Sequence, residues 1–247
     1  MNTETVNKLR ELNNRFYAKN AQSFSETRQH AWPGWDRVLA IARENGTAAK
    51  VLDIAGGNLR FEEYCMRNGL AQAEFYVVDS CPSLAKSIDG VVFQELDIVE
   101  LLASAAPITQ AILAPQCDLV ASFGFAHHIP DEPLRVSFVR QLIDMAESGG
   151  IVALTFWQFA EDPAMKSKAM ATTEAACNEL GLDLDEGDYI LGWKDVVGAY
   201  RYCHSFSDQE IDHIVHAISE TAEAVDVFSN DGKSGRMNRY VVLRRKT

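Results

Sequence analysis

A doubly wound α/β sheet is predicted for this 247-residue chain by three observations. Short apolar runs alternate with helical patterns from about residue 50 onward. Residues 51–61 run a strand into a two-glycine turn and then into a helix, and the last two apolar runs flank a glycine-containing turn. Strands that alternate with helices demand right-handed crossovers and a parallel sheet, while a closing hairpin adds an antiparallel strand. The 47% hydrophobic content is enough to fill the core of one large domain, and the length argues against two.

The elements follow in order. Val6, Leu9, Leu12 and Phe16 recur at helical spacing, and a second helix is expected from about Trp35 to Asn45, giving an N-terminal helical cap over 1–48. Residues 49–157 form a core of five strands: Val51–Ile54, Glu74–Val78, Val91–Leu96, Cys117–Ser122 and Gly150–Trp157. Helices are predicted over Arg60–Asn68, briefly from Pro82, over Ile98–Ala105 and over Glu132–Ala146. Residues 158–206 break the rhythm with a helical stretch, Asp162–Leu180, an acidic loop and Leu191-Gly192-Trp193-Lys194. An insertion after the fifth strand is where a substrate lid would be built. In 207–247, helix Asp208–Ile218 precedes strands Ala224–Phe228 and Arg239–Leu243, joined across Asn230–Gly235. The whole is a Rossmann-like seven-stranded sheet, with a ligand expected at the carboxyl ends of its first and fourth strands.

The glycine turn says what kind of ligand. Gly56 and Gly57 allow close backbone approach, and the following helix presents its N-terminal amides. Asp79, with Ser80 beside it, ends the second strand where a ribose-binding acid is expected, roughly 20 residues beyond the glycines. Asp97, followed by Ile98, ends the third run and is placed to receive an adenine amino group. Asp53 sits just before the glycines, where a carboxylate repels a pyrophosphate and suits a cation such as the ammonium and sulfonium of S-adenosylmethionine. Ala55, Ser122, Phe123 and His127 complete the expected cofactor set. The alternative, a packed glycine turn with no ligand, leaves three acids at successive strand ends unexplained. The ordered set Asp53, Gly56-Gly57, Asp79, Asp97 resembles the class I S-adenosylmethionine-dependent methyltransferases. Ala55 and Leu59 depart from that pattern, which has glycine at both, so Leu59 is expected to bring a side chain where the family has bare backbone.

Composition excludes several other classes. No run of 18 apolar residues occurs and the start is polar, so neither a membrane span nor a signal peptide is expected, and the location is expected to be cytoplasmic. Five scattered cysteines with no CxxC pair read as reduced, mostly buried thiols, and no metal site is expected. The adjacent histidines His127 and His128 are expected to point apart on an extended chain, one bonded to backbone and His128 facing the pocket. A net charge of −12 argues against a surface that grips nucleic acid as a whole. Basic residues gather at the ends, with Lys233, Arg236, Arg239, Arg244, Arg245 and Lys246 unaccompanied by any acid over 233–247. They form either one patch with the N-terminal helices or a solubilising tail.

Methyl transfer from a sulfonium is an in-line displacement, so alignment carries much of the catalysis, on the order of 7–11 kcal/mol. A hydroxyl or amine acceptor needs a base; a carboxylate, of pKa about 4, arrives ionised and calls for arginines and amides that orient it. Such groups occur in Phe24-Ser25-Glu26-Thr27-Arg28-Gln29-His30-Ala31-Trp32-Pro33, at Trp193, in Arg201-Tyr202-Cys203-His204 and in Arg236 to Tyr240. Together the FSxTR…WP element, the histidine pair, the RYxH sequence and the asparagine of the last strand resemble the tRNA wobble-uridine carboxymethyl methyltransferases. That family esterifies the carboxylate of 5-carboxymethyluridine with S-adenosylmethionine. The resemblance spans roughly Phe16 to Leu243. It implies that Arg28 and Trp32 border the cofactor and target base, that His128, Arg201, Tyr202, Asn238 and Arg239 face the carboxylate, and that tRNA is the partner, with phosphate contacts supplied by a small partner protein or by the two basic ends alone. A methyltransferase of a small-molecule substrate fits the acidic charge better, and a cofactor-binding protein without catalysis is the third reading.

Overall fold

The computed structural model describes every residue except Thr47 and Asp195. Nine strands are described: β1 (Lys50–Ile54), β2 (Glu74–Asp79), β3 (Val91–Glu95), β4 (Cys117–Ser122), β5 (Ala146–Trp157), β6 (Asp188–Trp193), β7 (Val196–His204), β8 (Ala222–Asn230) and β9 (Asn238–Arg245). Seven form one sheet in the order β3-β2-β1-β4-β5-β9-β8. The first five are mutually parallel, and β9 runs antiparallel between β5 and β8. The remaining two, β6 and β7, make a separate antiparallel ribbon.

The helices are α1 (Thr3–Ser25), α2 (Gly34–Glu44), α3 (Arg60–Cys65), α4 (Ile98–Ala103), α5 (Ile108–Ala111), α6 (Glu132–Met145), α7 (Pro163–Leu180) and α8 (Asp208–Ala217). Central strands covered on both faces must be apolar on both, and Val51, Leu52, Leu119 and Val120 are all fully buried. One face packs on Trp35, Leu39 and Phe61 of α2 and α3; the other on Leu102, Phe138, Leu142 and Ile214 of α4, α6 and α8. Each such side chain contributes about 1.5–3 kcal/mol by leaving water. A third cluster joins Leu9 and Leu12 of α1 to Ala176 of α7 and to Ile190 and Tyr202 of the ribbon. That cluster fixes α1 above the carboxyl ends of the parallel strands.

Local chemistry sets the ends. Asp162 caps α7 by accepting from Ala164 and Met165 amides, Pro163 opens it and Gly181 closes it in the left-handed conformation. Gly187 must be glycine: its φ is +84°, and a Cβ there would lie 2.6 Å from His204. Three sequence expectations fail. No helix follows Pro82: Leu84 and Ile88 are spaced for one, but the segment makes only a single turn, held by the Leu84 amide donating to the Cys81 carbonyl, before Gly90 (φ +83°) leads into β3. Asn68 and Gly69 (φ +98°) end the third helix as a wide turn, so regular α-helix stops at Cys65. Residues 188–204, expected as irregular lid, form the β6–β7 ribbon, and α5 was not foreseen. Among the described residues, no helix is long and apolar enough to cross a membrane.

Candidate active site

The carboxyl ends of the parallel strands open into a cavity of about 690 Å³, within the range of small-molecule sites, beneath α1, the 24–33 segment and the ribbon. Its floor is the glycine loop. Ala55 (φ +63°), Gly57 (φ +56°) and Leu59 (φ +60°) are all left-handed, which costs the two non-glycine residues roughly 1–2 kcal/mol each. Gly56 admits no side chain, since a Cβ would lie 2.5 Å from Val77, whereas a Cβ on Gly57 would meet nothing within 4 Å. Leu59 does not intrude as expected. The left-handed turn carries its side chain into the interior, 1% exposed and away from the cavity lining.

Asp53, Ala55, Gly56, Gly57, Asp79, Ser80, Asp97, Ile98 and Phe123 all line the cavity. Asp79 accepts the Gly57 amide at 2.9 Å and the Cys81 amide at 2.8 Å. Burial pushes its carboxyl up to about 6, against the pull of those two amides. Asp97 caps α4 with one oxygen; the other accepts from Asn14 at 2.7 Å and Arg10 at 3.1 Å, tying it to α1. Ser122 is corrected: fully buried, it donates to the Ile54 carbonyl at 3.0 Å and joins β4 to β1 outside the cavity.

The opposite end of the cavity gathers the groups expected to hold an acceptor. Arg201 is 6% exposed, with its guanidinium carbon 5.3–6.0 Å from the ring centroids of Phe16, Phe24, Trp157 and Trp193. Its Nε has no partner, and no carboxylate pairs with it among the described residues. Arg28 lies 3.4 Å above the Phe24 ring, and burial, then the charge of Arg201, lower it to about 10. Trp32 caps Gly124 and packs on Trp35, and Asn238 donates to Asp231 at 2.9 Å. Arg28, Trp32, Trp193 and Asn238 line the cavity beside Arg201.

Two expected acceptor residues lie elsewhere. Side chains alternate along a strand, so Tyr202 turns away from the face that Arg201 presents; it is fully buried and donates to Asp188 at 2.7 Å. Arg239 alternates likewise with Asn238 and Tyr240. It donates to Ser229 at 3.2 Å across the hairpin, outside the lining.

The histidines occupy a tight turn, Ala126–His128, that brings their rings to 4.1 Å rather than apart. The backbone-bonded one is His128. Its Nδ1 lies 2.9 Å from the Tyr202 carbonyl, which only accepts, so Nδ1 carries the proton and Nε2 accepts from the Tyr17 hydroxyl at 2.7 Å. Burial, then the charge of Arg201, lower His128 to about 3 and hold it neutral. His127 Nδ1 has no partner, and its ring faces Trp157. Cys203 stands near both, with all three potential ligand atoms within 4.8 Å of one another. Both nitrogens of His128 are, however, already hydrogen-bonded.

Sequence reading missed Tyr17, Asn13, Arg60, Glu62 and Asp231. Asn13 was the most accessible, a polar residue set into the apolar stripe of α1; its side chain accepts the Tyr202 amide at 2.7 Å and clamps the ribbon. Asp231, left-handed at φ +68°, accepts from Gly34, Asn238 and Tyr240 and fastens the last hairpin to α2.

No protein-family profile matches the chain, and no curated protein does. Solved structures do. A methyltransferase from Clostridium acetobutylicum aligns with a TM-score of 0.57 at 11% identity, over 94% of this chain and 99% of that one. A 1,6-didemethyltoxoflavin-N1-methyltransferase from Burkholderia thailandensis, solved with 1,6-didemethyltoxoflavin and S-adenosylhomocysteine, aligns at 0.58 and 12% over 95% and 87%. A third, from Methanosarcina mazei, gives 0.54 and 14% over 80% and 92%. The chain has the fold shared by S-adenosylmethionine-dependent methyltransferases.

Proposed function

We propose that the protein is an S-adenosylmethionine-dependent methyltransferase whose acceptor is a small molecule bearing a carboxylate, and that this carboxylate is what it methylates. The carrying observation is Arg201, a buried guanidinium boxed by aromatic rings, with an unpartnered Nε and no carboxylate pairing with it among the described residues. A buried charge calls for a counter-charge, and guanidinium matches carboxylate geometry. Arg28 adds a second cation, and the rings of Phe24, Trp157 and Trp193 suit a flat apolar body.

The residues at the other end fit the cofactor. Gly57 offers open space where a Cβ would stand, Asp79 keeps lone pairs for ribose hydroxyls, and Asp53 would face the cationic end. The bound cofactor supplies an activated methyl group; the chain supplies alignment. A carboxylate needs no base, which accords with a His128 held neutral and occupied by Tyr17.

A tRNA acceptor, implied by the wobble-uridine resemblance, draws less support from where the basic residues lie. Arg244 pairs with Glu223, Arg245 donates to the Asp144 and Ala146 carbonyls, and Lys246 to that of Ser219, all at the end of the sheet away from the cavity. Lys233 and Arg236 alone of the six are exposed at the turn beside the cavity. The test incubates the protein and methyl-labelled cofactor with a small-molecule extract and, separately, with total tRNA. An alkali-labile ester in the small-molecule fraction is the expected result. Label confined to tRNA would move the proposal to a modified uridine. Cofactor binding with no transfer to either would leave a binding protein without catalysis.

A further inference from the structure

Glu62, in the first turn of α3, is fully buried, and among the described residues its carboxyl oxygens find no hydrogen-bond partner beyond its own backbone amide and the acid it faces. That acid is Asp53, 4% exposed, which opens into the cavity beside the glycine loop. An ionised carboxylate with no donor is strongly disfavoured in an interior, and two carboxyls in contact cannot both ionise; one proton is shared between them. The surroundings do not supply a substitute. Asp79, at the end of β2, adds negative charge to Asp53, and Arg60 offsets only part of it. Lys86 and Glu63 act on Glu62 with opposite signs, and the Cys65 thiol beneath is held neutral by burial. Burial first, and then the charge of Glu62 and the hydrogen bond to it, raise Asp53 well above the usual range, while burial pushes Glu62 up to about 7 against the pull of its own backbone amide and of the Asp53 hydrogen bond.

We propose that Glu62 is a positioning residue: its buried carboxylate accepts a hydrogen bond from the protonated Asp53, so that the pair holds one proton between them and presents a single negative charge to the cationic end of the bound cofactor. The inference rests on the cofactor reading above and deepens it. Of the two acids Asp53 keeps the proton, because the hydrogen bond between them raises Asp53 and lowers Glu62. Acidification adds a second proton, discharges the pair and removes its attraction for a cation. Binding a cationic ligand to the discharged pair must then expel a proton.

Calorimetric titration of the full chain with S-adenosylmethionine, from about pH 5.5 to about pH 8.5 in buffers of differing ionisation heat, tests this. Affinity should be flat on the alkaline side. It should fall by about tenfold per pH unit where the pair is discharged, with about one proton released per ligand bound there. Glu62→Gln offers Asp53 an amide donor and cannot itself take up a proton, so Asp53 carries the single charge, and affinity near pH 8 should stay within about threefold while the acid loss moves to lower pH. Glu62→Leu removes the partner, leaves the buried Asp53 holding its proton alone, and should weaken binding by about tenfold or more. A flat native profile, or Gln and Leu variants that behave alike, would overturn the proposal. A second readout needs no ligand. The infrared spectrum of the cofactor-free protein at neutral pH should lose one protonated-carboxyl band in Glu62→Gln, and an unchanged spectrum overturns the pair whether or not the cofactor binds. If the band is present and no S-adenosylmethionine binds at any pH, it is the cofactor reading that has failed, and the role of Glu62 toward it falls with it.

Discussion

Arg201 and Tyr202 are neighbours in sequence and face opposite environments, and that division decides which substitutions should disturb chemistry. Arg201→Ala should lower turnover about tenfold or more while leaving affinity for S-adenosylmethionine near native, a split read from initial rates and calorimetry. Arg239→Ala, its side chain spent on Ser229, should leave turnover unchanged in the same assay. Asp79→Ala should weaken cofactor binding by about 1.5–3 kcal/mol, since it orders the Gly57 amide as well as facing the cavity. Ala55→Gly should raise stability by roughly 0.5 kcal/mol in denaturant unfolding, because relief of the left-handed strain slightly exceeds the entropy a glycine adds to the unfolded chain. Asp53, Gly57 and Asp79 were legible because strand, turn and helix succeed one another locally. The facing of Tyr202, Arg239 and Ser122 was not, because it depends on which strands flank them.

The β6–β7 ribbon shows why an element can be invisible in the sequence. Its strands are flanked by acids, and its pairing is stabilised by contacts from α1, α7 and α8. His204, at the end of β7, sits between Asp188 and Glu210, 2.7 Å from each, and Glu210 also pairs with Arg135. Burial alone would lower His204, but its two acid partners outweigh that and raise it. A raised histidine contributes stability that is fully present below its unfolded pKa, about 6.5, and is lost as pH climbs through the folded value. His204→Gln should therefore cost about 2 kcal/mol or more in urea unfolding near pH 6, and the difference from the native chain should shrink at alkaline pH. Equal loss at both pH values would mean that the imidazolium charge is not what joins ribbon to α8. The helix expected from Pro82 failed for the reverse reason. A start and an apolar pair, Leu84 and Ile88, were present, yet the chain leaves for β3 after one turn.

At the scale of the whole molecule, the sheet order follows from the alternation that the chain displays, while the roof of the cavity does not. A ligand that binds only the native state stabilises it by about 2.7 kcal/mol at a hundredfold excess over its Kd. For a chain of this size that corresponds to a rise in Tm of about 5–10 °C with S-adenosylmethionine, read by differential scanning fluorimetry. No rise at any concentration would count against the cofactor. The roof has a consequence of its own. One helix, α1, reaches Asp97 through Arg10 and Asn14, His128 through Tyr17, and the Tyr202 backbone through Asn13. Donor and acceptor thus share a single sensor, and slowed amide exchange along the first twenty-five residues would register the arrival of either one, with the amino-terminal turns answering chiefly to the nucleoside and the later turns to its partner in the reaction.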